Sequence, residues 1–156
     1  MDPADFAPIP VAPESAGDWE TYYDLRWRVL RAPWDQPPGS EKDERETDSD
    51  HLMIRGVDSQ VLAVGRLHFN SATEAQIRFM AVAPEAQGRG LGSIILREFE
   101  SRARAAGATS IVLNAREDAQ RFYYKHGFVV TGSASTIFAA VQHLRMRKDL
   151  PQRPAA

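Results

Sequence analysis

The order of apolar patterns along the chain predicts an α/β (α+β) fold: one mixed, mostly antiparallel sheet of about six to seven strands flanked by about four helices. Three features carry this expectation. Two strand-like runs meet at a two-residue turn, a strand-helix-strand crossover follows, and a short helix then leads into two closing strands.

Residues 18–30 read as the first helix, because Trp19, Tyr22, Tyr23, Trp27 and Leu30 recur at helical spacing and form one apolar stripe expected to pack on the core. Pro33, Pro37, Pro38 and Gly39 then forbid regular structure, so residues 35–50 read as an exposed loop or a short polar helix. Residues 52–57 and 60–69 are strand-like, with Asp58-Ser59 as the turn of a hairpin, and 76–83 is a third strand. From Pro84 the period becomes helical. Leu91, Ile94, Ile95, Phe99, Ala103 and Ala106 share a face, and Gly107 stands where a C-terminal cap belongs. Residues 109–114 form an apolar run typical of a buried strand, 117–126 read as a short helix stopped by Gly127, and 128–132 and 137–147 supply an antiparallel closing pair.

The 156 residues fit one domain, expected over 15–150. A flexible segment is expected over 1–14 and a disordered tail over 151–156, both proline-containing with little to bury. The absence of cysteine excludes disulfides, thiolate metal sites and a cysteine nucleophile, so any group transfer runs without an acyl-cysteine intermediate. The N-terminus lacks a basic segment followed by an apolar one, and no run is long enough to span a bilayer; a cytoplasmic protein without a membrane partner is expected. A net charge of -2 argues against a nucleic-acid partner.

The charge is uneven. Residues 35–50 hold seven acids against Lys42 and Arg45, a net of -5, leaving +3 elsewhere. Such a run reads as a solvated loop or as an attractor of a cation. No His-x-x-x-His pattern or carboxylate cluster supports a metal.

The informative stretch is residues 77–92, where a strand is joined to an amphipathic helix by Gly88, Gly90 and Gly92 at alternate positions. Such a turn lets the first N–H groups of a helix, with the positive end of its dipole, receive a phosphate or pyrophosphate. The Walker pattern fails because Leu91 follows Gly90 where Lys and then Ser or Thr are required, and the dinucleotide fingerprint fails because the spacing is G-x-G-x-G.

The Gln-x-x-Gly-x-Gly motif of Gln87, Gly90 and Gly92, following the strand Arg78-Phe79-Met80-Ala81-Val82, resembles the first signature of the GCN5-related N-acetyltransferase (GNAT) superfamily. Further on, Ala119-Gln120-Arg121-Phe122-Tyr123-Tyr124-Lys125-His126-Gly127-Phe128 resembles its second signature. The resemblance covers roughly residues 19–148. Tyr22-Tyr23, Leu25 to Leu30, Pro33-Trp34, Gly39-Ser40-Glu41, Gly65 to His68 and Leu113 to Glu117 are similar to a narrower bacterial acetyltransferase group, some of whose members are fused to a hotdog-fold thioesterase.

The resemblance implies the GNAT fold, acetyl-CoA (coenzyme A) as co-substrate, and direct transfer of an acetyl group to a primary amine, on a small molecule or a peptide, in a ternary complex. It implies that the pantetheine arm pairs with the backbone of Met80, Ala81 and Val82. The pyrophosphate then sits on Gln87, Gly88, Arg89, Gly90, Leu91, Gly92 and Ser93. Tyr123 takes the position of the general acid toward the departing thiolate; its alternative is a core aromatic. Phe122 lies beside it. Asn114 reaches the pantetheine or the thiol, or simply ends a strand, and Lys125 reaches a phosphate or is a surface lysine. Glu117 is the carboxylate placed to act as base, or else a helix cap.

Trp34, His51 and His143 are expected to border the acceptor, with a place on the sheet surface the alternative for His143; His68 and His126 are the remaining histidines. Dimers are common in this superfamily, which leaves a homodimer open. A reading from another class is a non-catalytic acyl-CoA-binding or partner-binding module that keeps the cofactor site without turnover.

Overall fold

The computed structural model describes residues 8–134, 136 and 141–151. The fold is α/β, with a mixed sheet of six strands in the order β1-β2-β3-β4-β6-β5. The strands are β1 (Asp50–Arg55), β2 (Val61–Phe69), β3 (Glu74–Val82), β4 (Ser110–Arg116), β5 (Val129–Ser133) and β6 (His143–Asp149). Among the described residues three α-helices accompany them, where about four were expected: α1 (Ala16–Leu30), α2 (Leu91–Ala105) and α3 (Gln120–Lys125). The expected helix over 117–126 is shorter because its first turn, Glu117–Ala119, is 3-10. Residues 137–140 of the last expected strand lie outside the described residues, and β6 begins at His143.

The chain divides into two compact units, one of residues 8–68 and 79–98 and the other of 69–78 and 99–151.

In the first unit, α1 opens on a capping box: Asp18 N–H donates to Ser15 Oγ, and the Asp18 carboxylate accepts from the backbone of Glu14 and Ser15. Those two backbone bonds, with an ion pair to Arg55, hold the Asp18 carboxyl down at about 2. β1 and β2 pair antiparallel from Asp50↔Leu67 to Arg55↔Val61. Their turn closes through Gly56 N–H to Gln60 O at 2.8 Å, with Ser59 at φ 68. β1 and β2 are buried on both faces, by residues that include Leu52, Met53, Ile54, Leu62, Val64 and Leu67.

The apolar stripe expected on α1 is displaced. Its buried residues are Tyr22, Leu25 and Arg26, while Trp19, Tyr23, Trp27 and Leu30 are half-buried. A guanidinium takes a core position because acceptors for both of its Nη groups meet it there. Arg26 Nη1 donates to Glu46 Oε1 at 2.8 Å and to Glu41 O at 3.0 Å, and Nη2 donates to Tyr22 Oη at 2.7 Å.

In the second unit, β3 and β4 run parallel from Glu74↔Ser110 to Ile77↔Leu113, as a strand-helix-strand crossover requires. β6 lies antiparallel to β4, and β5 antiparallel to β6 with a bulge between Val130 and Gly132. Gly107 ends α2 at φ 96. Phe99, Ala103, Ile111, Leu113, Phe128 and Met146 fill this unit's core.

Candidate active site

Residues 80–93 of the first unit carry the expected cofactor positions. Ala83 N–H donates to Leu62 O on β2 at 2.8 Å. Because successive residues of a strand present their backbone groups to opposite edges, those of Val82 and Met80 face away from β2, the arrangement that pairing with an extended ligand requires. Met80 and Val82 are half-buried and Ala81 is buried.

A 3-10 turn, Pro84–Ala86, leads into the glycines. Gly88 has φ 81 and Gly90 φ 77, conformations that strain any residue with a Cβ. A Cβ built on either would meet no atom within 4 Å. These glycines are therefore not demanded by close packing, in contrast to Gly127, where a Cβ would lie 3.1 Å from Lys148 Cε. Space stands open at the start of α2. There Ile94 N–H closes the first helical turn on Gly90 O at 3.2 Å, and the amides before it lie at the positive end of the helix. Gln87 and Arg89 are exposed beside the turn, Leu91 is buried beneath it, and Gly92 and Ser93 are half-buried. The turn fits a pyrophosphate.

Residues 22–68 of the same unit form a charged interior that sequence reasoning missed. Arg66 is fully buried, its Nη1 2.6 Å from Glu46 Oε2 and its Nη2 3.0 Å from Asp43 Oδ2. Glu46 thus bridges Arg26 and Arg66 with its two oxygens. Burial opposes the Arg66 charge, but the Asp43 and Glu46 carboxylates outweigh it and raise its pKa. The Nε atoms of both arginines are buried and find no hydrogen-bond partner. Arg66 Nη2 donates to His68 Nδ1 at 3.2 Å, which leaves the imidazole proton on Nε2.

His51 is buried with both ring nitrogens engaged: Tyr22 Oη lies 2.8 Å from Nδ1, and Nε2 lies 2.7 Å from Glu46 O. Nε2 therefore carries the proton and Nδ1 accepts from Tyr22. Burial lowers the His51 pKa, with the Arg26 charge acting the same way. Burial also lifts the Tyr22 phenol far above its usual range and the Tyr23 phenol to about 12. His51, expected at the acceptor, links Tyr22 on α1 to the Glu46 carbonyl through these two contacts. Trp34 ends a 3-10 turn, Ala32–Trp34, and is half-buried.

The acidic stretch is accordingly more than a solvated loop. Asp43 and Glu46 serve Arg66 and Arg26, Glu41 is buried and accepts from Gly39 N–H at 2.7 Å, and Asp48 pairs with Arg45.

Phe79 lies at the bend of this unit's portion of β3. Its φ of 56 is left-handed, which costs a bulky L residue about 1–2 kcal/mol. The guanidinium carbons of Arg26, Arg66 and Arg31 stand 4.3, 4.9 and 5.5 Å from its ring centroid. Arg26 was legible only as the residue four after Tyr22 on a helix, and nothing in a single sequence marks a positive φ inside a strand.

The second unit holds the remaining positions. Tyr123 is buried on α3, edge-on to Phe122 at 5.0 Å and to Phe128 at 5.8 Å between centroids. Burial raises its phenol well above the usual range, against a smaller opposing pull from Arg116. It therefore stays protonated at every physiological pH, as a proton donor must. Tyr124 beside it is exposed. Asn114 is exposed on β4 between buried Leu113 and Ala115, and Lys125 is exposed at the end of α3. Glu117 is exposed after β4; its N–H reaches Gln142 O at 3.3 Å, and Arg116 pairs with Asp118 rather than with Glu117. An open depression of about 400 Å³ is lined by Glu117, Asp118, Gln120, Arg121 and Tyr124. His143, half-buried at the start of β6, has its Nδ1 3.1 Å from Val141 O.

Among the described residues no group of three His, Cys, Asp or Glu side chains is placed to hold a metal. No helix among them is long and apolar enough to cross a membrane.

Residues 19–128 match the acetyltransferase (GNAT) family, and the chain belongs to that family. It is 32% identical over 113 residues, 72% of this chain and 79% of the other, to the uncharacterized N-acetyltransferase YjcF of Bacillus subtilis. In fold it is similar to an acyl-CoA N-acyltransferase from Pseudomonas aeruginosa (TM-score 0.75, 23% identity, covering 91% of this chain and 98% of that one). It is also similar to an aminoglycoside 6'-N-acetyltransferase solved with coenzyme A (TM-score 0.77, 13% identity, 94% and 99%).

Proposed function

We propose that the protein is an acetyl-CoA-dependent N-acetyltransferase that passes an acetyl group directly to a primary amine in a ternary complex. The observation that supports this most is the glycine turn before α2, whose two left-handed glycines have no packing neighbour for a Cβ and leave helix N–H groups open to an anion. The coenzyme A complex of a protein with the same fold supports the choice of ligand.

In this reading the backbone of Met80 and Val82 pairs with the pantetheine arm, and the amides of residues 88–92 hold the pyrophosphate, with Gln87 and Arg89 beside them. The amine nitrogen attacks the thioester carbonyl, a C–N bond forms, the C–S bond breaks, and the amine proton is lost. Tyr123, at the tyrosine position of the second signature, donates its proton to the departing thiolate. The Asn114 amide serves as a neutral hydrogen-bond donor to the arm or the thiol. Glu117 stands exposed after β4, so the amine proton leaves through it or through ordered water. Trp34 and His143 border the acceptor.

Calorimetric titration with acetyl-CoA, with NAD and ATP as controls, tests the ligand. Micromolar binding of acetyl-CoA alone is expected, and free-thiol release with a panel of amines then reports turnover. No binding overturns the assignment. Binding without thiol release from any amine, or after partner addition alone, favours a non-catalytic acyl-CoA module.

A further inference from the structure

We propose that Phe79 is a positioning residue for acetyl-CoA, its left-handed backbone held by the buried guanidinium groups of Arg26 and Arg66 so that the strand leaving it, Met80 to Val82, is aimed for the pantetheine arm; this rests on the function proposed above.

Strained backbone persists only where its surroundings over-determine it. Around Phe79 they do so. The ring is buried, and three guanidinium groups lie over it within 5.5 Å of the centroid. Two of these cannot move freely. Arg26 is tied to Tyr22, Glu46 and the Glu41 carbonyl, and Arg66 to Asp43 and Glu46. Their Nε atoms carry no hydrogen bond. Two arginines buried together, each left with an unsatisfied donor, are a poor choice for stability alone, since apolar residues of similar volume would serve as well or better. Apart from the Glu46 carboxylate that bridges them, what the two share is the Phe79 ring.

The bend lies next to the residues whose direction matters. Phe79 directly precedes Met80, and four residues on, Ala83 is fixed to Leu62 on β2. With both ends of the Met80–Val82 segment held, its backbone groups are set before the ligand arrives, which lowers the entropy lost on binding. Asp43 and Glu46, from the loop after α1, act through the arginines and hold Phe79 indirectly.

The test compares two ligands on Phe79→Leu, which keeps bulk but removes the π face, and on Phe79→Tyr, which keeps both. Acetyl-CoA carries the arm, whereas 3'-phospho-ADP, the nucleotide half of the same molecule, engages only the phosphate-binding region. For Phe79→Leu the Kd of acetyl-CoA is expected to rise roughly tenfold while that of 3'-phospho-ADP stays within about twofold. Phe79→Tyr is expected to retain wild-type affinity for both. Should Phe79→Leu not fold, Phe79→Met carries the same expectation. Equal affinity of the folded variant and wild type for acetyl-CoA, or an equal loss for both ligands, overturns the proposal and leaves the function standing. Failure of the wild-type protein to bind acetyl-CoA removes the function and this role together.

Discussion

Glu46 reaches Arg66 in the interior of the first unit, its Oε2 2.6 Å from Nη1 of a guanidinium with no exposed surface. Its other oxygen is committed to Arg26, so one carboxylate neutralises part of two buried charges. Glu46→Ala leaves both short of a partner and is expected to destabilise the protein by about 3–5 kcal/mol. Urea unfolding measures this, and a loss of less than about 1 kcal/mol would show that Asp43 alone suffices.

His51 makes folding depend on pH. Its folded pKa lies below the ordinary 6.5, with burial the main cause. Above 6.5 neither the folded nor the unfolded form is protonated there. As pH falls below 6.5 the unfolded chain gains a proton that the native protein refuses, so stability declines until the lower folded pKa is passed. Thermal melts from pH 7.5 to 5 are expected to show a falling Tm, with a shallower slope in His51→Gln. Identical slopes would mean that other groups set the acid side. Asp18 adds a separate loss at lower pH, between 3.8 and about 2.

Tyr123→Phe is expected to slow turnover roughly ten- to a thousandfold with acetyl-CoA affinity nearly unchanged, as for loss of a positioned acid. Thiol release against time, beside a calorimetric Kd, separates the two quantities. Unchanged turnover would return Tyr123 to the role of a core aromatic between Phe122 and Phe128.

Gly90→Glu places a Cβ on a backbone at φ 77 and a negative charge in the space kept open at the helix start. Acetyl-CoA binding is expected to disappear while circular dichroism still reports the native fold. A folded variant that binds normally would show that the pyrophosphate lies elsewhere.

Much of this protein is written in local patterns. The hairpin at residues 56–60, the crossover through α2 and the closing strands follow from periodicities of two and 3.6 residues and from Gly107 and Gly127, features that depend on near neighbours in the chain. The glycine turn was legible for the same reason, because its chemistry lies in backbone conformations that only glycine adopts readily. Tertiary structure decided what depends on distant partners. Arg26 becomes a core residue only because Glu46, twenty residues later, meets it there, and His51 turns inward because Tyr22 and the Glu46 carbonyl satisfy both its nitrogens. The acids after α1 read as a solvated run until two buried arginines claim Asp43 and Glu46. The bend at Phe79 has no signature in its own neighbours. It depends on guanidinium groups from α1 and β2, and a charge or a strained φ can be buried only where the fold supplies the group that compensates it.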